Sequence, residues 1–233
     1  MKYLTSAAVL AAILAVPAMG QWADDFQSYP LNSPLVGQGG WAGWDGGPAL
    51  AIVSDDHPKF AGDQAAKLFQ NDDCIQEHSG YTTGQFTYTA MQYIPDTLQG
   101  VADMQTYFIL MNKYTLDSKG WSVQLQFDLE NSICQDDEDP GDPGVPIIYN
   151  AWNEIRVDID LEANTQATFY NGIPVGTADW YEPANPDHAK AVAAVDLWAD
   201  IGGDPVYYDD MSLVPEPASL CLLVLTGLFL RRR

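Results

Sequence analysis
In the run Asp158-Ile159-Asp160-Leu161-Glu162, three carboxylates recur at a spacing of two. Alternate side chains of an extended strand share a face, so Asp158, Asp160 and Glu162 would point the same way. Carboxylates gathered on one face can divide the work of hydrolysis, one ionised as nucleophile and one protonated as general acid. The plainer role for the same row is a solvated strand face. Two acid pairs, Asp24-Asp25 and Asp209-Asp210, stand near opposite ends of the chain. Brought together without basic neighbours they would repel, unless protons or a hard cation such as calcium compensated them. A further acidic run, Asp136-Asp137-Glu138-Asp139-Pro140-Gly141-Asp142, lacks the ligand register of a calcium-binding loop and reads as a mobile acidic loop.

Other chemistries find no support. His57, His78 and His188 are scattered and show no zinc-ligand spacing. No Gly-x-Ser-x-Gly elbow, phosphate loop or dinucleotide fingerprint occurs. Charge narrows the partners further. The 233 residues carry a formal net charge of −22, which disfavours nucleic acid and anionic membrane surfaces.

The two ends of the chain differ from its middle. Met1-Lys2, the apolar stretch Ala7 to Val16 and the small residues Ala18 and Gly20 read as a secretory signal peptide over residues 1–20, cleaved before Gln21. At the other end, residues 214–233 combine Pro215-Glu216-Pro217, an apolar segment to Leu230, and Arg231, Arg232 and Arg233. As a helix, Ala218 to Leu230 would span about 20 Å, short of the roughly 30 Å hydrocarbon core, and the arginines favour a cytoplasmic C-terminus. The expectation is transient membrane insertion rather than permanent anchoring. Between these ends, residues 21–213 make one domain, long enough for a sizeable core. Across residues 21–214, 31 acidic residues face six basic ones, a net charge of −25. Cys74 and Cys134 form an even pair in a secreted domain, which suggests a disulfide worth about 4 kcal/mol by loop closure.

The middle reads as all-β. Trp121, Val123, Leu125, Phe127 and Leu129 alternate with Ser122, Gln124, Gln126, Asp128 and Glu130. Ile155, Val157, Ile159 and Leu161 alternate in the same way with Glu154, Arg156, Asp158, Asp160 and Glu162. Half-buried strands of this kind belong to antiparallel sheets packed face to face. Asn171-Gly172 between Ala167–Tyr170 and Ile173–Val175 predicts a hairpin with a type I′ turn. Further strands are expected over Gly84–Tyr93, Gln105–Met111 and Val206–Leu213, and Pro186–Leu197 fits either a helix or a strand of small residues. About ten to fourteen strands in a two-sheet antiparallel sandwich follow. On such a sheet Gln124, Gln126 and Arg156 are placed to hydrogen-bond sugar hydroxyls. Trp41, Trp44, Trp180, Tyr181 and Trp198, in loop-like sequence, are placed to stack on sugars or to fill the core.

The tail resembles the PEP-CTERM sorting signal of bacterial surface proteins, with its Pro-Glu-Pro box, short hydrophobic segment and basic cluster. That resemblance implies export across the inner membrane, processing by signal peptidase and an exosortase-type sorting enzyme, and display at the cell surface or in an extracellular matrix. Within the domain, Asp24-Asp25-Phe26, Gln38-Gly39-Gly40-Trp41, Trp44-Asp45, Ile159-Asp160-Leu161, Asn171-Gly172 and Val206-Tyr207-Tyr208-Asp209-Asp210 resemble the concanavalin A-like (laminin G-like) jelly rolls. The resemblance implies a jelly-roll fold with first and last strands adjacent, which would gather Asp24, Asp25, Asp209 and Asp210 around a structural calcium. The Asp158 to Glu162 row is similar to the Glu-x-Asp-x-Glu motif of laminarinase-like glycosidases, but its first residue is Asp, one methylene short for a nucleophile. Three functions stay open: a binding module for carbohydrate or extracellular polysaccharide, a glycosidase using Asp158 and Glu162, and a structural matrix component. Binding is preferred to catalysis.

Overall fold
The computed structural model describes residues 21–60, 63–139 and 143–216. The signal peptide, Pro217, Cys221, Arg231, Arg232 and Arg233 lie outside the described residues. Strands β1 (Trp22–Asp24), β2 (Trp41–Gly43), β3 (Ile52–Ser54), β4 (Ala65–Leu68) and β5 (Asp72–Glu77) are short. Longer strands follow in β6 (Gln85–Tyr93), β7 (Gln105–Thr115) and β8 (Ser118–Asp128). Then come β9 (Ile133–Asp136), β10 (Val145–Pro146), β11 (Trp152–Asp160), β12 (Thr165–Tyr170), β13 (Ile173–Asp179), β14 (Ala194–Asp200) and β15 (Val206–Pro215).

These strands form two antiparallel sheets. The first runs β13-β12-β11-β6-β15-β4-β3, with β1 beside β15; the second runs β10-β9-β8-β7-β14-β5-β2. Alternation explains how they pack. Ile155, Val157 and Ile159 of the first sheet and Val123, Leu125 and Phe127 of the second all point into one core, each at most 2% exposed. Asn171 and Gly172 have φ of 47° and 76°, as a type I′ turn requires.

A β-bulge alters one predicted face. The β7–β8 register shifts around Met111, so Trp121 pairs with Met111 and packs outside the core, while Val123 stays inside. The predicted face holding Trp121 with Val123 is therefore broken at Ser122. The ambiguous Pro186–Leu197 stretch contains no helix and leads into β14 at Ala194.

Cys74 and Cys134 are not bridged. Both are buried, but Cys74 lies in β5 and Cys134 in β9, four strand spacings apart across the second sheet. At about 4.8 Å per spacing this is about 19 Å, against a disulfide Cα separation below about 7 Å. The acidic loop also begins in ordered structure. Asp136 is 1% exposed and accepts hydrogen bonds from Gln124 N, Gln166 Nε2 and Thr168 Oγ1, joining β9 to β12 of the other sheet.

The last strand runs past the predicted boundary at 213. Pro215 pairs with Phe86, and Glu216 N donates to Gln85 O at 2.9 Å. Successive backbone N atoms of a strand point in opposite directions, so the Pro215 nitrogen faces away from β6, beyond the start of β1, where the ladder needs no donor. Among the described residues no helix is long and apolar enough to cross a membrane.

Candidate functional site
The structure divides the Asp158 to Glu162 row. Asp158 and Asp160 line a cleft of about 710 Å³ on the outer side of the first sheet, together with Gln85, Thr165, Asp179 and Glu216. β11 ends at Asp160, whose Oδ1 accepts the N–H groups of Glu162 and Ala163 at 2.9 and 2.8 Å and so bends the chain into a turn. Glu162 is carried off the strand face, where it accepts from Gly84 N and pairs with Lys190 at 2.7 Å. The N–H of Ala163 and the amide of Gln85 hold the Asp160 carboxyl below the usual carboxylate range, and Lys190 does the same for Glu162. Both shifts run opposite to the raised carboxyl that a general acid in glycoside hydrolysis requires. Asp158 is held by Arg156 and Thr87, each at 3.3 Å. Glu216 also reaches this cleft, accepting from Thr87 Oγ1 at 2.6 Å.

Of the acids at the chain ends, the strands meet but the carboxylates diverge. Asp24 pairs with Met211 across β1 and β15. Its carboxylate is buried and accepts from Phe26 N, Tyr29 Oη and Trp41 Nε1 at 2.9, 2.6 and 2.9 Å. Asp25 is exposed and accepts from Gln27 N. A bulge in β15, with Asp210 at a φ of 45°, separates Asp209 from Asp210. Asp209 is 2% exposed, while Asp210 pairs with Lys59 at 2.5 Å. Asp24, Asp25 and Asp210 border one small depression, yet two of the three already have strong partners. Among the described residues no three His, Cys, Asp or Glu side chains are grouped to hold a metal ion.

The predicted sugar contacts also separate. Trp41 and Trp180 are 1% and 0% exposed and belong to the core; Trp180 Nε1 donates to Ala191 O at 2.8 Å. Arg156 lies on the outer face of the first sheet, its guanidinium 4.0 Å above the Phe169 ring. Gln124 and Gln126 lie on the outer face of the second sheet, on the opposite side of the molecule, because both core strands turn their polar residues outward. Trp44 stands at the edge of that same second face, with Lys119 above its ring at 5.3 Å.

That outer face carries an arrangement the sequence reading did not assemble. Strand registers place Gln135, Gln126, Tyr107, Trp198 and Asp73 in one row across β9, β8, β7, β14 and β5. Gln124, Ile109, Asp196 and Ile75 form the next. Tyr107 and Trp198 stack with centroids 5.0 Å apart and planes at 15°. Gln135 donates to Gln126 at 2.8 Å and Gln126 to the Tyr107 hydroxyl at 2.9 Å, which fixes the polar groups beside the rings. Trp44, Tyr114, Trp121 and Trp198 pack, partly exposed, around buried Ile75, Ile109 and Met111.

Asp73 and Asp196 sit beside Trp198 and hydrogen-bond each other. Burial, reinforced by the charge of Asp73, pushes the Asp196 carboxyl well above the usual carboxylate range. Asp196 stood in the stretch that fitted helix or strand. A signal was present, since Ala194, Asp196, Trp198 and Asp200 alternate with Val195, Leu197 and Ala199.

Fold and face together define a two-sheet β-sandwich of the jelly-roll class with an aromatic and amide-lined outer surface. Comparison with solved structures agrees on the fold. A sialidase superposes with a TM-score of 0.57 at 10% identity, covering 85% of this chain and 19% of the sialidase. The endo-β-1,4-glucuronan lyase of Trichoderma reesei gives 0.53 at 12% identity over 79% of this chain and 94% of the lyase. The globular domain of Trypanosoma cruzi calreticulin gives 0.55 at 9% identity over 87% and 90%. No family model matches the sequence, and no curated protein does either.

Proposed function
We propose that this protein is an exported carbohydrate-binding module that takes a glycan on the outer face of its second sheet. The row Gln126-Tyr107-Trp198-Asp73 carries the reading: a stacked aromatic pair offers a flat apolar platform for a pyranose ring, flanked by amide and carboxyl groups for its hydroxyls. Two of the similar structures, a sialidase and a glucuronan lyase, are named for carbohydrate substrates, which supports glycan recognition on a sandwich of this kind. Export rests on the signal-peptide and sorting-tail patterns, with signal peptidase and an exosortase-type enzyme as processing partners and an extracellular polysaccharide as ligand.

A glycan array followed by titration of the hits tests this reading. Trp198→Ala is expected to weaken binding at least about tenfold, by loss of aromatic stacking. Arg156→Ala, on the opposite face, is expected to leave it unchanged. An array without hits, or equal losses in the two variants, would overturn the assignment, and a blank array leaves the structural-matrix role.

A further inference from the structure
We infer that this face grips a linear, uncharged glycan of extended, ribbon-like shape along its length, rather than a single sugar or a coiled or acidic chain; the inference rests on glycan binding at the face. The stacked Tyr107–Trp198 pair is followed by a second platform. Trp121 is the cross-strand partner of Met111, which lies about 13 Å from Tyr107 along β7. Trp44 and Tyr114 continue the line, packed edge to face with centroids 5.4 Å apart, and Tyr114 stands about 20 Å from Tyr107 along the same strand. These rings are partly exposed over one buried floor of Ile75, Ile109 and Met111, so the apolar patch is continuous.

At its far end the face opens into a groove of about 520 Å³, lined by Gly43, Ile75, Glu77, Tyr114 and Leu116. Ile75 and Tyr114 belong to both, so the groove prolongs the aromatic line. Midway along it, Gln124 stands partly exposed beside Ile109, its amide donating to Glu138 at 2.6 Å. Amide and carboxylate there are placed to meet the hydroxyls of a sugar lying between the platforms.

A pyranose ring is about the size of the aromatic ring it stacks on, so one sugar covers one platform and only a chain of several covers the line. Rings set along one sheet face match a chain that turns flat sugar faces to the same side at regular intervals. Equatorially linked β-1,4 chains do so, whereas α-1,4 chains coil away. Charge sets the second limit. Asp45, Glu77 and Glu138 border the line, Lys119 already pairs with Asp45 at 2.7 Å, and Lys113 donates to Pro186 O at 2.6 Å. A chain of uronic acids meets repulsion that neither lysine is free to offset.

Isothermal titration with the dimer, trimer and hexamer of β-1,4-linked glucose tests the inference, beside the hexamers of α-1,4-linked glucose and of β-1,4-linked glucuronic acid. The β-linked glucose hexamer is expected to bind about tenfold more tightly than the trimer, and at least about tenfold more tightly than either other hexamer. Trp121→Ala is expected to bring that hexamer down to the affinity of the trimer while the trimer keeps its own. Trp121→Tyr is expected to retain the difference, which separates a lost platform from a disrupted face. Equal affinity of trimer and hexamer in the unaltered protein overturns the inference alone. So does an undiminished advantage of the hexamer in Trp121→Ala, or equal binding of the α-linked or the acidic hexamer. A glycan array whose hits exclude neutral β-linked chains has the same consequence, whereas a blank array overturns glycan binding itself.

Discussion
Burial pushes the Asp209 carboxyl up to about 7, with the charge of Asp210 adding to the effect and Lys59 opposing it. The folded state therefore holds this proton more tightly than the unfolded chain. The advantage is complete below the unfolded value near 4 and is lost as pH rises through about 7. Asp209→Asn is expected to stabilise the protein by about 1–3 kcal/mol at pH 7.5, with the gain shrinking toward zero at pH 4, measured by urea unfolding at both. A gain independent of pH would contradict this account. Asp24, also buried, has three donors around its carboxylate. Both residues were recognisable as acids in unusual positions. What separated their environments was the partners: Tyr29 and Trp41 close on Asp24, while Asp209 accepts from the neighbouring Asp210 N.

At the scale of elements, the most local signals were the most legible. The hairpin of β12 and β13 follows from Asn171-Gly172, where both residues need positive φ. A Cβ at Gly172 meets no atom within 4 Å, so Gly172→Ala tests backbone strain alone. The expected cost is about 1 kcal/mol, read as a shift of the urea midpoint. An unchanged midpoint would show that the turn tolerates another geometry. Alternation located β8 and β11 and their core faces, but the bulge beside Met111 moved Trp121 to the outer surface, because one extra residue reverses the phase of everything before it. β14 was obscured by the alanine-rich stretch leading into it, Ala189 to Ala194, which suits helix as well as strand.

For the whole molecule, strand order governs which residues meet. Non-reducing digestion is expected to yield no peptide joining Cys74 to Cys134, and an alkylating reagent is expected to label Cys74 once the chain is denatured. A linked peptide would mean a different order in the second sheet. The sequence alone determined the all-β class, the antiparallel pairing, the inward residues of the long strands and the acidic character of the surface. Each depends on period-two patterning, turn chemistry or composition, which act over a few residues or over the total. Tertiary structure alone decided that the polar faces of β8 and β11 look in opposite directions, that Asp158 and Glu162 part at a turn, and that Asp73, Tyr107, Gln126 and Trp198 share one row. Those four come from four different strands, and their meeting is fixed by register across the sheet, a long-range property that no local pattern in the chain encodes.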